Sequence, residues 1–223
     1  IILILRKLKN IYFMKKISLL LVFVLFTKMY SQKQIFEAPN LKEKISAQKT
    51  VAIIPFDVTI NYKKQPKNFS AEANKEQERK MSTSVQTSMY TFLLRKRENY
   101  LVSFQDVDKT NILLKKAGML NKLDEFTKDE VAKVLGVDAV IGGKYEIEQT
   151  KSEAGAIATA VLLGGFGGKT GTGTLTMTIN DGATGDLLWR FFKTLDDNIA
   201  TSTDDVIEHM MRKVSRNFPY QVK

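Results

Sequence analysis

The stretch Val51-Ala52-Ile53-Ile54-Pro55-Phe56 runs six residues without a charge or a side-chain hydrogen-bonding group. A continuous apolar run of this kind fits a strand buried on both faces, as in a sheet that helices cover from each side. Pro55 belongs at its end, where a missing N–H costs no ladder bond. Downstream, Asn61 to Asn74 is polar, with Lys63, Lys64 and Lys67, and reads as a surface loop. A helix then runs to about Arg97, with Met81, Val85, Met89 and Phe92 sharing one face. Tyr100 to Phe104 reads as a second strand. Asp106 caps a helix ending near Ala117-Gly118. Thr127-Lys128-Asp129-Glu130 is a capping box, and the short helix it opens stops at Gly136.

The second half of the chain is built from alternation. Ala139 to Glu148 places Ile141, Tyr145 and Ile147 on one side and Lys144, Glu146 and Glu148 on the other. From Thr170 to Asn180 the pattern holds without a slip. Thr170, Thr172, Thr174, Thr176 and Thr178 share a face, and Gly171, Gly173, Leu175, Met177 and Ile179 share its opposite. Asp181-Gly182-Ala183-Thr184-Gly185 is turn chemistry, and Leu187 to Thr194 returns as the partner strand. A last helix spans about Asp204 to Phe218, burying Val206, Ile207, Met210, Met211 and Val214 before Pro219. The order β-α-β-α-α-β-β-β-α, without an internal repeat, is that of a single α/β mixed-sheet domain over residues 49–223.

Before that domain, residues 32–48 are polar with Pro39 and read as a flexible leader. Residues 1–31 read as targeting sequence. Met14-Lys15-Lys16 followed by apolar Ile17 to Phe26 has the charge order and length of a secretory signal peptide, too short to span a membrane. Cleavage is expected between Ser31 and Gln32, and Met14 is the expected start, with residues 1–13 upstream of it. Residues 1–31 hold six of the 34 basic residues and none of the 24 acidic ones. The remainder has 28 basic and 24 acidic residues, a formal charge of +4 in place of +10. The excess that would point to nucleic acid thus sits mostly in the leader. The chain has no cysteine, which excludes disulfides and thiolate chemistry. It also leaves no thiol for the lipid of a bacterial lipoprotein, so the expected product is exported, periplasmic or associated with the outer membrane, and not lipid-anchored.

Three pieces carry a family resemblance: Val51 to Phe56 as first strand, Gly136-Val137-Asp138-Ala139-Val140-Ile141-Gly142-Gly143 after two short helices, and the hairpin ending in Leu187-Leu188-Trp189. In this order, over about residues 49–218, they resemble the envelope family of the curli-secretion channel CsgG, the penicillin-binding-protein activator LpoB and the N-terminal domain of TolB. The resemblance implies a non-enzymatic cell-envelope protein that binds other envelope proteins in an assembly, secretion-accessory or regulatory role. It implies no catalytic residue, metal or cofactor. The missing lipidation cysteine is one departure. The other is that the curli channel uses two membrane hairpins per subunit, where this chain offers one candidate.

That candidate runs from Gly155 to Asn180. Ala156 to Leu163 is apolar, Gly164-Gly165-Phe166-Gly167-Gly168 supplies a turn, and the strand bearing Thr170, Thr174 and Thr178 returns. The threonine strand meets the polar-in, apolar-out rule of a membrane strand, but Ala160-Val161-Leu162-Leu163 does not. An ordinary half-buried strand with an apolar loop or short helix explains the same residues, because antiparallel strands with one solvated face alternate in this way. An oligomeric outer-membrane pore is therefore the alternative reading, and a carboxylate-based exported hydrolase a third.

Other motifs fall to simpler explanations. Gly168-Lys169-Thr170 matches the end of a phosphate loop, but Leu163 stands where its first glycine is required and a strand follows instead of a helix. Asp106 to Thr110 lacks the glycine and the glutamate of a calcium loop. His209 is the only histidine and falls on the solvent side of its helix, so no His-based triad or metal site can be assembled. Asp196-Asp197 and Asp204-Asp205 are paired carboxylates, the second pair placed as helix N-terminal charge.

Overall fold

The computed structural model describes residues 35–63, 65–67, 69–149, 171–195, 207–208, 211–212, 214 and 217–222. The elements follow as β1 (Ile35–Glu37), α1 (Leu41–Ala47), β2 (Thr50–Ile53), β3 (Asp57–Tyr62), α2 (Ala71–Leu94), β4 (Ser103–Phe104), α3 (Val107–Lys116), α4 (Lys128–Leu135), β5 (Ala139–Gln149), β6 (Gly171–Asp181) and β7 (Leu187–Leu195). A 3-10 turn at Arg97–Asn99 precedes β4. Among the described residues the strands form one seven-stranded mixed sheet in the order β1-β7-β6-β5-β2-β4, with β3 also on β5. The α/β mixed-sheet class read from the sequence is the observed one.

The opening apolar run is two strands. Val51, Ala52 and Ile53 pair in parallel with Ala139, Val140 and Ile141. The ladder on β5 resumes with Asp57 opposite Lys144 and continues to Tyr62 opposite Gln149. Ile54, Pro55 and Phe56 therefore stand against only Gly142 and Gly143, one residue in excess, and Pro55 sits in this bulge, where it removes no ladder bond. Close approaches from both neighbouring strands account for the paired glycines. A Cβ on Gly143 would lie 1.9 Å from the Thr176 carbonyl oxygen, and one on Gly142 would meet the Ile54 side chain at 3.0 Å.

Residues Asp57 to Tyr62 thus continue the first strand and leave a free edge. Helix α2 covers it. The Ile60 N–H donates to Glu78 (2.9 Å), Asn74 donates to the Ile60 carbonyl (3.3 Å), and Ser82 donates to the Phe56 carbonyl. Side chains from one helix so satisfy backbone groups that would otherwise invite another strand. Gln86, fully buried, does the same for the Ile53 carbonyl at 2.7 Å and exchanges two amide bonds with Asn111 of α3.

Two apolar layers flank the sheet. On one face Val85, Met89, Phe92 and Leu93 of α2 pack with Leu41 and Ile45 of α1 and the C-terminal Ile207, Met211, Val214, Phe218 and Tyr220. They cover Val51, Ile53, Ile141, Tyr145, Leu175, Met177, Ile179, Trp189 and Phe191. On the other face Leu114 of α3 and Val131, Ala132 and Leu135 of α4 cover only Ala52, Ile54 and Val140. The caps follow the sequence. Asp106 accepts from the Lys109 N–H (3.1 Å), Glu130 accepts from the Thr127 N–H (2.9 Å), and α4 ends on Gly136 at φ 66°.

Three expectations are corrected. Residues 35–47, expected within a flexible leader, form β1 and α1. Ile35, Phe36 and Glu37 pair with Phe191, Arg190 and Trp189, and Leu41 and Ile45 enter the core. The polarity of the segment reflects its one exposed face. The strand expected over Tyr100 to Phe104 shortens to Ser103–Phe104, because Leu101 bonds the Tyr220 carbonyl instead (2.8 Å) and Tyr100 bridges Gln221. Asn61 and Tyr62, expected at the start of a surface loop, are the end of β3. Of the candidate hairpin, the described Gly171–Asp181 is β6, an inner strand with β5 on one side and β7 on the other, and residues 155–170 lie outside the described residues.

Candidate functional site: the uncovered face of the sheet

Among the described residues, helices α3 and α4 leave most of their side of the sheet bare. The register of β3, β5, β6, β7 and β1 sets out rows of side chains there. One row runs Asp57, Lys144, Thr176, Phe192, and the next Thr59, Glu146, Thr174, Thr194. A third holds Gly142, Thr178, Arg190 and Phe36. The alternation seen in sequence dictates this: Leu175, Met177 and Ile179 are buried, so the threonines between them face outward and stay half-buried.

Neighbours within the rows complement each other. Lys144 Nζ lies 3.2 Å from Asp57, the Thr174 hydroxyl donates to Glu146 (3.1 Å), and the Thr178 hydroxyl approaches the Gly142 carbonyl at 3.4 Å. Lys63 and Glu148 pair at 3.5 Å at the far end. These exposed pairs set pattern more than stability. At the border of the face Lys128 is partly withdrawn from water. Burial pulls its ammonium below the usual lysine range, against the attraction of Asp57 and Asp124. Phe36 and Phe192 place aromatic rings among these polar groups, Phe36 nearly half exposed. A mixed face of this composition is suited to a protein surface.

On the opposite side a buried polar network ties the chain ends together. Asp181, 4% exposed, accepts from Lys44 (3.1 Å), Thr184 (3.0 Å) and Gln48 (3.3 Å), and Tyr220 donates to Gln48 at 2.6 Å. Burial would raise the Asp181 carboxyl, but the hydrogen bonds and the Lys44 charge overcome it and hold the carboxyl below the usual range. Burial, then the nearby carboxylates Asp181 and Asp138, push the Tyr220 hydroxyl far up. Every member donates to or accepts from another, so the network is structural. Asp138 is likewise occupied, accepting from the N–H groups of Lys49 and Thr50 at 2.8 Å. It lines a shallow groove with Asp129, Lys133 and Gly182, in which no buried side-chain polar atom lacks a partner. Among the described residues no three His, Asp or Glu side chains converge as a metal cage, and no helix is long and apolar enough to cross a membrane.

Of the residues singled out from sequence, Thr174 and Thr178 lie on this face. Gly155, Leu163, Phe166 and Thr170 lie outside the described residues, as do Ser31, Gln32, His209 and both aspartate pairs. Sequence reading missed Phe36, Asp57, Arg190 and Phe192. The last two carry a signal, since Arg190, Phe192 and Thr194 alternate along β7. The first two do not, because their strands are short or interrupted.

No family model matches the chain, and no curated protein matches it. Among solved structures, it is similar to the LpoB C-terminal domain from Salmonella enterica at 10% identity, covering 71% of this chain and 93% of that one with a TM-score of 0.33. A lipoprotein from Neisseria meningitidis matches at 12% identity, over 76% and 95% of the two chains, with a TM-score of 0.39. The PelC dodecamer from Paraburkholderia phytofirmans matches at 11% identity, over 78% and 90%, with a TM-score of 0.34.

Proposed function

We propose that this is an exported cell-envelope protein that acts by binding another envelope protein, in an assembly or regulatory role and without catalysis. The observation that carries the reading is the uncovered face, where Phe36 and Phe192 stand among threonines and alternating charges on strands rigidly held from behind. The leader from Met14 and the resemblance of the strand motifs to an envelope family point to the same compartment. The protein works there without a lipid of its own, as the chain contains no cysteine.

A photo-crosslinking residue at Thr176, in the middle of the face, tests this in intact cells. The expected result is one dominant adduct with an envelope protein, lost on Phe192→Asp and not formed from a probe at Glu76, which sits on the exposed surface of α2. No adduct, or the same adducts from both positions, overturns the assignment. Release of the protein from disrupted cells without detergent is expected; recovery only with detergent contradicts the lipid-free part.

A further inference from the structure

The outer edge of β3 is closed by side chains and not by a strand, and Ile60 shows how. Glu78 accepts its N–H at 2.9 Å, Asn74 donates to its carbonyl at 3.3 Å, and the same Asn74 amide bonds Glu78 at 3.1 Å. A neighbouring antiparallel strand would make the same two bonds to Ile60 with the backbone of one residue. Both backbone groups of Ile60 thus point away from β5, and by alternation so do those of Val58 and Tyr62. The cover is held unevenly. From Ala71 to Lys80, α2 has no apolar side chain larger than alanine. Asn74 and Glu78 fasten this part to β3, and the Tyr62 hydroxyl donates to Asn74 at 3.2 Å. From Val85 to Leu93 the helix is rooted in the core. Opening of its first turns uncovers the strand edge and leaves that root in place, a local event that costs far less than global unfolding.

The edge is also complementary to itself. Two copies of β3 can run antiparallel with Ile60 opposite Ile60 on a two-fold axis. They then exchange both Ile60 bonds, set Val58 against Tyr62, and bring Asp57 opposite Lys63 twice. Asp57 and Lys63 are exposed on the open face, where Lys144 and Glu148 are their present partners. We propose that β3 is a dimerisation edge and that the first turns of α2 are an autoinhibitory cover over it. When they swing away, a second copy pairs along β3, and the uncovered faces of the two copies join in one surface. The symmetric match of Asp57 with Lys63 selects a second copy over a foreign strand. The pairing goes beyond the binding role proposed above and stands or falls separately from it.

The chain has no cysteine, so Thr59→Cys with Asn61→Cys reports this register as an intermolecular disulfide. In it, positions 59 and 61 of opposite copies form a non-hydrogen-bonded pair with Cα atoms about 4.5 Å apart, within disulfide reach. Mild oxidation of the purified protein is expected to give a covalent dimer, with the 59–61 linkage identified by peptide mass spectrometry. Adding Asn74→Ala and Glu78→Ala should speed its formation about thirtyfold, the effect of two lost hydrogen bonds on the opening equilibrium. Hydrogen exchange at the Ile60 amide should rise by a similar factor. Lys63→Asp should slow cross-linking about tenfold, and further addition of Asp57→Lys should restore it. The cysteine pair with the cover intact tests the register even where the alanine variant fails to fold. No covalent dimer, or one lacking the 59–61 linkage, overturns the dimer. Exchange at Ile60 unchanged in a folded alanine variant overturns the cover, and cross-linking indifferent to both charge reversals overturns the register.

Discussion

The two halves of the sheet solve the same burial problem differently, and β5 contains both solutions. Its first three residues, Ala139, Val140 and Ile141, are fully buried, with helices on both sides. Beyond Gly142-Gly143 the strand alternates: Tyr145 and Ile147 are buried while Lys144 and Glu146 are exposed. The parallel pairing of β2 with β4 and with the start of β5 belongs to helix-connected strands and is covered twice. Past the bulge, β3 and the antiparallel strands β5 to β7 keep one face in water among the described residues. The difference shows where a binding surface is affordable in this fold, since only a face that no connecting helix crosses can be left open.

The contrast breaks most visibly by placing the same charge in each half. Val140→Asp buries a carboxylate without a partner and is expected to cost more than about 4 kcal/mol, enough to unfold the domain. Thr176→Asp, beside Lys144, should stay within about 1 kcal/mol. Urea unfolding followed by the fluorescence of Trp189, the single and fully buried tryptophan, compares them. Similar losses would show that the open face is not open.

The junction between the halves comes next. Gly143→Ala drives a methyl group into the Thr176 carbonyl and should cost about 3 kcal/mol, whereas Gly142→Ala meets only a side chain that can turn and should cost about 1 kcal/mol. Equal melting temperatures for the two variants would discard the close-approach explanation of the paired glycines.

Smaller effects lie in the network that fastens the chain ends. Tyr220→Phe leaves the Gln48 amide oxygen without its donor and should cost about 1 kcal/mol. The Asp181 carboxyl is held below its unfolded value, so its contribution is present at neutral pH. That contribution is lost as pH falls below about 4, through the lowered folded-state value. Asp181→Asn should therefore be less stable at pH 7 and show a flatter acid limb in melting temperature; an acid limb identical to that of the parent would remove Asp181 from the account. Thr178→Val, whose hydroxyl makes only a 3.4 Å contact, should change stability by less than about 0.5 kcal/mol.

How much of this was legible follows from the range of the interactions involved. The stripe Val85, Met89, Phe92, the caps at Asp106 and Gly136, and the turn after Asp181 are written within a few residues of where they act. The class of fold follows from their order. The split of Val51 to Phe56, the use of Asp57 to Tyr62 as an edge covered by Glu78 and Asn74, and the recruitment of Ile35 to Glu37 are pairings between distant or short segments, which leave little local periodicity. The open face shows the same division: its threonines were visible, but its aromatic residues came from strands whose register only the sheet defines.

By itself, then, the sequence determined the polarity of each face, the helix limits and the turn chemistry, because each depends on neighbours one to four residues away. Tertiary structure alone decided which strands flank β6, that the segment before β2 belongs to the domain, and that no described helix crosses the threonine face. Those outcomes depend on how separate segments share a limited apolar surface, a competition that local pattern cannot record.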